Sequence, residues 1–309
     1  MRKIFGIGET VFDIIFKEGV PQAAKAGGAM LNSMVSLGRT GLPAFFISEY
    51  GNDAIGDIID GFLNENGVST EFSHRFSDGK TKLAIAVLNE RNDADYSFYD
   101  KYPSERLKVS LPAVNRNDIV LFGSIYAITD EIRNRFKSFI RSAYDVGGIL
   151  IYDPNFRKTH SSELDILRPM IIENIQNSVL MRGSDEDFRN IFGAETPDEA
   201  WGAVREYCRN LVYTASGQGV YVRTEVFSGK FPVRQIIPVS TIGAGDNFNA
   251  GMIAALYTMG IGKEEIGTMG EEKWAAVISS GVGFATDVCL SYDNYISHEF
   301  AARIRGSAT

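Results

Sequence analysis

The chain has 309 residues, of which 44% are hydrophobic and 23% charged, with a formal net charge of −8 and a pI near 5.1. This is the composition of a globular enzyme able to bury a sizeable core, and its acidic balance argues against general affinity for nucleic acid or an anionic membrane. Two cysteines far apart, Cys208 and Cys289, and three scattered histidines, His74, His160 and His298, leave no basis for a disulfide framework or a zinc-type cluster and fit a reducing cytoplasm.

The chain opens MRKIFGIGETVFDIIF: a brief basic start is followed by an apolar stretch that takes in Glu9 and Asp13. That speaks against a signal peptide, and no run is long enough to span a bilayer. Short apolar runs at 4–7, 44–47, 119–122, 149–152, 179–181 and 211–213 read as buried strands. Helical patterns lie between or after them, at 55–66, 131–146, 163–175, 197–209 and 244–259. Thr129 or Asp130 is the expected cap of the second helix, and Thr196 before Pro197 opens the fourth. Strand and helix in alternation predict an α/β fold, with a mostly parallel sheet covered on both faces.

Residues 80–99 break that rhythm with two strand-like runs, 83–88 and 96–99, joined by the polar turn 89–95. They read as a hairpin inserted into the α/β body. It either lies on its own domain or forms a lid whose outer face meets another subunit. Phe98 and Tyr99 either contact a ligand or fill the core.

Two phosphate-loop decoys fail. Gly79-Lys80-Thr81 would need a glycine where His74 stands, and Gly6-Ile7-Gly8 would need one at Val11. The strongest local signal is Val239-Ser240-Thr241-Ile242-Gly243-Ala244-Gly245-Asp246-Asn247-Phe248-Asn249-Ala250-Gly251, running into an apolar helix. A small-residue loop that opens a helix presents free N–H groups at the positive end of the helix dipole, a setting for phosphate. Asp246, in the first turn, is placed either to take a proton from a hydroxyl or simply to cap the helix.

That segment resembles the C-terminal signature of the ribokinase family, the PfkB-type carbohydrate kinases: DTxGAGD followed by F, A and G. The N-terminal signature is similar too, as Gly27-Gly28-Ala29-Met30-Leu31-Asn32, Ser36-Leu37-Gly38-Arg39-Thr40-Gly41, Gly51-Asn52-Asp53 and Gly56. The resemblance covers nearly the whole chain. It implies a ribokinase-like α/β fold, with 1–309 a single kinase domain carrying a β lid, built mainly from about 80–100 with 10–18 as a further contributor. It implies an ATP-dependent kinase in which Asp246 is the catalytic base and the N–H groups of Gly243, Ala244 and Gly245 form the anion hole. The sugar would be held by Asp13, Gly27, Gly28 and Asn32, with Arg157 of Asp153-Pro154-Asn155-Phe156-Arg157 reaching substrate or phosphate. Thr214, Gly217 and Gly219, in a turn that resembles TxGxxG, would bind nucleotide together with Ser184 and Gly245.

Two departures follow. The family's NxxE element falls on Ser184 and Asp187, which keeps magnesium as the expected ion, with Asp187 as its contact through water. Ser240 replaces the aspartate that opens DTxGAGD; in members that use potassium this region helps to build the cation site, so potassium activation is left open. The motifs look most like bacterial fructokinase-type members, which makes fructose the first expected acceptor. Ribose, 2-keto-3-deoxygluconate, a nucleoside and a sugar phosphate remain alternatives, as does a catalytically silent sugar-binding relative. The expected partners are a sugar and ATP, with a second copy of the chain docked through the lid.

Overall fold

The computed structural model describes residues 2–89 and 94–307. Its first part runs β1 (Ile4–Ile7), β2 (Val11–Lys17), β3 (Val20–Gly27), α1 (Ala29–Arg39), β4 (Ala44–Gly51) and α2 (Ala54–Glu65). Then come β5 (Val68–Ser69), β6 (Ser73–Phe76), β7 (Lys80–Leu88), β8 (Ala94–Lys101), β9 (Ile119–Gly123), α3 (Asp130–Asp145) and β10 (Ile149–Asp153). The second half runs α4 (Leu164–Gln176), β11 (Leu180–Ser184), α5 (Asp185–Phe192), α6 (Pro197–Val204), β12 (Asn210–Thr214), β13 (Val220–Thr224) and β14 (Ser228–Phe231). It closes with α7 (Ala244–Thr258), α8 (Lys263–Ile266), α9 (Glu271–Cys289) and α10 (His298–Ser307).

Every residue of β1, β9 and β10 is buried, as the unbroken apolar runs require of strands covered on both faces. Among the described residues they sit at the middle of a ten-stranded sheet of order β14-β13-β12-β11-β10-β9-β1-β4-β5, with β6 also pairing on β4. Pairing is parallel from β12 across to β5 and β6, and only the β12–β13 and β13–β14 pairings of this sheet are antiparallel. One face packs on Met30, Leu31, Met34, Phe248, Trp274 and Phe284 from α1, α7 and α9. The other packs on Phe136, Ile171, Phe188 and Val204 from α3 to α6. The fold class read from the sequence therefore holds.

Side-chain caps set the starts of α2, α5 and α6. Thr196 and Glu199 form a reciprocal capping box with Pro197 at the first helical position. That helix stops at Val204, short of the expected 209, because the N–H groups of Tyr207 and Cys208 both turn back on the Val204 carbonyl and bury Cys208 ahead of β12. Thr129 occupies the cap position of α3 without capping it; its hydroxyl donates instead to the Ile125 carbonyl at 2.9 Å.

A second, four-stranded sheet has the order β3-β2-β7-β8. The expected hairpin is present as β7 and β8, paired antiparallel with Leu83 opposite Tyr99 and Ala84 opposite Phe98. Residues 90–93 of its turn lie outside the described residues. The sheet grows because β2 pairs parallel with β7, while β2 and β3 form a hairpin of their own. Phe98 and Tyr99 fill no core, at 60% and 56% exposed, and their adjacent positions put them on opposite faces.

Candidate active site

The C-terminal ends of β1, β10, β11 and β12 open onto a cleft lined by Asp13, Asn32, Arg157, Arg182, Thr214 and Asp246, among others. This is where an open α/β sheet gathers ligands. The start of α7 forms its floor. Gly243 precedes the helix with φ of 79°, a left-handed value that glycine reaches without strain, and a Cβ there would lie 2.9 Å from the Asn294 carbonyl oxygen. The Ala244 N–H donates back to the Thr241 carbonyl at 3.3 Å, while among the described residues those of Gly245 and Asp246 have no partner and stand at the positive end of the dipole.

Asp246 stands in that turn. One carboxylate oxygen, Oδ2, accepts from the Asn32 amide at 2.8 Å, and the Asp246 carbonyl accepts from the Ser33 hydroxyl at 2.7 Å. Burial pushes the carboxyl up to about 6; Asp153 adds to the rise, while the Asn32 hydrogen bond, Arg157 and Arg182 oppose it. Such a group is ionised at neutral pH yet basic enough to take a hydroxyl proton. Asn32 is 5% exposed, and its buried Oδ1 has no hydrogen-bond partner among the described residues, an unusual state for a polar atom beside a cleft.

Asp13 comes to the cleft from β2 in the small sheet. Its carboxyl is also raised to about 6, by burial first, with Lys25 opposing. A Cβ on Gly27 would sit 2.4 Å from Asp13 Oδ2, so Gly27 makes room for this carboxylate and does not itself line the cleft. Gly28 does line it, ahead of α1. The structure thus brings Asp13, Gly28, Asn32 and Asp246 together. Arg157 is exposed at the rim, near enough to Asp246 to lower its proton affinity.

The residues expected at the nucleotide are more mixed. Gly217 lines the cleft, its carbonyl held by Gln235 at 2.9 Å, but Gly219 turns the chain beneath Phe231. The Thr214 hydroxyl accepts from Arg182 Nη2 at 2.7 Å. Ser184 caps α5: its hydroxyl and N–H both donate to Asp187 Oδ2, at 2.6 and 2.7 Å. The other Asp187 oxygen accepts from the Phe156 N–H at 2.6 Å. With both oxygens committed and 4% exposure, Asp187 is suited to touching a hydrated ion and not to ligating it directly. Asp185 and Glu186 border the cleft beside it.

Arg182 was missed from the sequence. It donates to Asp153 Oδ2 at 2.9 Å as well as to Thr214, and a Cβ on Gly245 would meet its Nη1 at 2.9 Å. A guanidinium thus lies directly behind the small-residue loop. The available signal was an arginine at the end of the buried run 179–181. Asp153, on the last residue of β10, is the hub: Asn249 also donates to it.

A buried carboxylate with raised proton affinity beside a helix N-terminus, with a guanidinium behind it, is an arrangement suited to phosphoryl transfer onto a hydroxyl. The chain belongs to the pfkB family of carbohydrate kinases, whose model matches residues 1–285. It is a phosphotransferase with an alcohol acceptor. The chain is 26% identical over 266 residues to probable fructokinase-5 of Arabidopsis thaliana, covering 82% of each chain. Among solved structures, aminoimidazole riboside kinase of Salmonella enterica, complexed with aminoimidazole riboside and an ATP analog, matches at TM-score 0.82 with 20% identity over 100% of both chains. A double mutant of Vibrio cholerae fructokinase in fructose-, ADP- and potassium-bound form matches at TM-score 0.82 with 19% identity over 98% of each. At these identities the two structures establish the shared fold.

Proposed function

We propose that this chain transfers the γ-phosphoryl of ATP to a hydroxyl of fructose, with Asp246 as the base. The observation that carries this reading is the Asp246 carboxylate, held by Asn32 in the first turn of α7 beside the Gly245 N–H, which has no partner among the described residues. The fructokinase relatives support fructose as the acceptor. The sugar lies against Asp13, Gly28 and Asn32, whose carboxylate and amide groups recognise neighbouring hydroxyls directionally. Asp246 accepts the hydroxyl proton. The N–H groups of Gly243, Ala244 and Gly245, backed by Arg182, stabilise charge on the phosphoryl oxygens, and Arg157 reaches them from the rim. The nucleotide lies along Ser184, Thr214 and the Gly217–Gly219 turn.

Magnesium fits this site as an ion that arrives with the nucleotide and keeps most of its waters, held through them by Asp187. When bound it neutralises charge on the phosphates. Ser240 donates no carboxylate to the loop and closes a turn by accepting from the Ile242 N–H at 3.2 Å. We therefore expect potassium to change the rate little, which exchange of potassium for choline salts would test.

The chain acts as one kinase domain in which the small sheet is the lid. The pairing puts Ile14, Leu83, Ile85, Val87 and Tyr99 on one face of it; Val87 and Tyr99 are 50% and 56% exposed. This apolar face suits a second copy of the chain, and a monomeric mass by light scattering at micromolar concentration would refute a dimer. The free, buried Cys208 and Cys289 fit a cytoplasmic setting, and among the described residues no helix is long and apolar enough to cross a membrane.

The deciding experiment follows ADP release with Mg-ATP against a panel of sugars, nucleosides and sugar phosphates. Selective turnover of fructose supports the reading. Turnover of another acceptor removes fructose but leaves the base assignment. Binding without turnover of any acceptor overturns the catalytic reading.

A further inference from the structure

Lys25 has no part in the roles assigned above. It stands on β3 directly opposite Asp13 of β2, so both side chains leave the small sheet on the same face. Its partly buried Nζ donates to the Tyr292 carbonyl at 2.7 Å and to Asn294 Oδ1 at 3.1 Å. Both acceptors belong to the segment between α9 and α10. That segment continues to the phosphoryl site: the Asn294 carbonyl accepts from Asn247 Nδ2 at 2.8 Å, and the same amide nitrogen donates to the Gly243 carbonyl at 2.8 Å. The Asn294 backbone also fills the space that a side chain at position 243 would need. Two hydrogen-bonding residues, Asn294 and Asn247, therefore connect Lys25 to the residue that opens the anion hole.

We propose that Lys25 is a positioning residue of the acceptor site, fastening the small sheet to the segment behind Gly243 so that Asp13 and the anion hole keep one spacing across the acceptor. A flexible ammonium on a partly buried strand edge is a costly choice unless its donors are filled. Here two carbonyl oxygens take two of its three donors, and Asp13 and Asp293 supply opposing charge. The arrangement works in both directions. Burial raises the Asp13 carboxyl and Lys25 opposes that rise; Asp293 and Tyr295, from the same segment as the tie, are the other titratable groups that face the pair, and Asp246 lies across the cleft. A polyol bound by Asp13 must present its reacting hydroxyl within a few tenths of an ångström of the phosphoryl group, and such misplacement lowers rates steeply.

The inference rests on the kinase reading of the acceptor site, and its test separates the two. Lys25→Met and Lys25→Arg are compared with the parent in the full chain, using the acceptor the parent phosphorylates. K25M is expected to raise the acceptor KM about tenfold while leaving the ATP KM within about twofold. It should also move the acid limb of kcat/KM for the acceptor to higher pH by roughly half a unit or more, because Asp13 loses its neighbouring charge. K25R should restore most of both. A second readout needs no turnover: the Asp13 carboxyl is titrated by carbon-13 NMR with labelled aspartate, identified by its disappearance in D13N. An unchanged acceptor KM in K25M, or an Asp13 titration that does not move, overturns the proposal. A parent that phosphorylates nothing while Asp13 still shifts in K25M overturns the kinase reading alone. Should K25M fail to fold, K25Q removes the charge while keeping an amide NH2 to donate to these carbonyls, and carries the same Asp13 readouts.

Discussion

Asn32 Nδ2 and Asp246 Oδ2 meet at 2.8 Å across helices α1 and α7, which lie at opposite ends of the chain. The contact is doubled one residue on, where the Ser33 hydroxyl donates to the Asp246 carbonyl at 2.7 Å. One carboxylate oxygen is thereby fixed and oriented. The same amide has a buried Oδ1 without a hydrogen-bond partner among the described residues, so one asparagine that orients the Asp246 carboxylate still carries an unused acceptor.

Replacing Asp246 by asparagine keeps the side chain's shape and removes its capacity to take a proton. Turnover is expected to fall by about 10² to 10⁴-fold, the range for a positioned general base, with acceptor and ATP affinity within a few fold of the parent. Steady-state kinetics and calorimetry check both halves. Parental turnover in D246N would remove Asp246 from the role of base.

The pH dependence has opposite signs for activity and stability. Asp13 and Asp246 are both pushed up to about 6, so activity should fall as pH drops through 6. Stability behaves otherwise. Between about pH 4 and 6 the folded protein holds protons on these groups that the unfolded chain has released, so stability declines as pH rises through that window. Above it, each buried carboxylate is a standing cost. D246N should therefore melt higher than the parent at pH 8, by a gain of about 1–2 kcal/mol, and the gain should vanish near pH 4. Equal melting temperatures for the two proteins at pH 8 would contradict the burial assigned to Asp246.

The buried strands were legible because a strand covered on both faces must be apolar at every position, as at Ile4–Ile7 and Ile119–Gly123. The GAGD loop was legible because few residue types permit a left-handed residue directly ahead of a helix, as Gly243 does at φ of 79°. The small sheet was read only in part. β7 carries an apolar run, but β3 is mostly exposed and offers no periodic signal. Arg182 and Lys25 were invisible for a related reason. Each acts through partners 29 to 269 residues away, and no local spacing encodes such a pairing. Ser184 and Asp187, expected at the nucleotide and magnesium, form in the structure the capping box of α5.

Arg182 should separate charge from geometry. Its fork joins Asp153 to Thr214 beneath Gly245. R182A leaves Asp153 buried with its countercharge gone and should cost about 3–5 kcal/mol of stability. R182K keeps the charge but not the paired geometry. It should fold, with kcat lowered about tenfold or more if the guanidinium supports the phosphoryl group. Urea denaturation and turnover measure these separately, and an R182K protein with parental kcat would confine Arg182 to a structural role.

A second buried pair joins the body to the small sheet. Glu49 on β4 pairs with Arg106, their side chains 1% and 7% exposed, and it also accepts from the Leu107 N–H, where Leu107 holds a left-handed φ of 51°. The Arg106 guanidinium lies 3.4 Å from the centre of the Tyr102 ring. The Tyr102 hydroxyl donates to Glu9, which Lys82 of β7 also pairs with at 3.1 Å. Removing Glu49 alone strands a buried guanidinium and a backbone donor together, so E49A should lose about 3–5 kcal/mol. Removing both charges is less damaging than removing one, since the desolvation cost of Arg106 goes as well. The double variant E49A/R106M should therefore recover more than half of the loss in denaturant midpoint. A double variant no more stable than E49A would mean that Glu49 acts chiefly through the Leu107 N–H, holding the left-handed turn, and not through its charge.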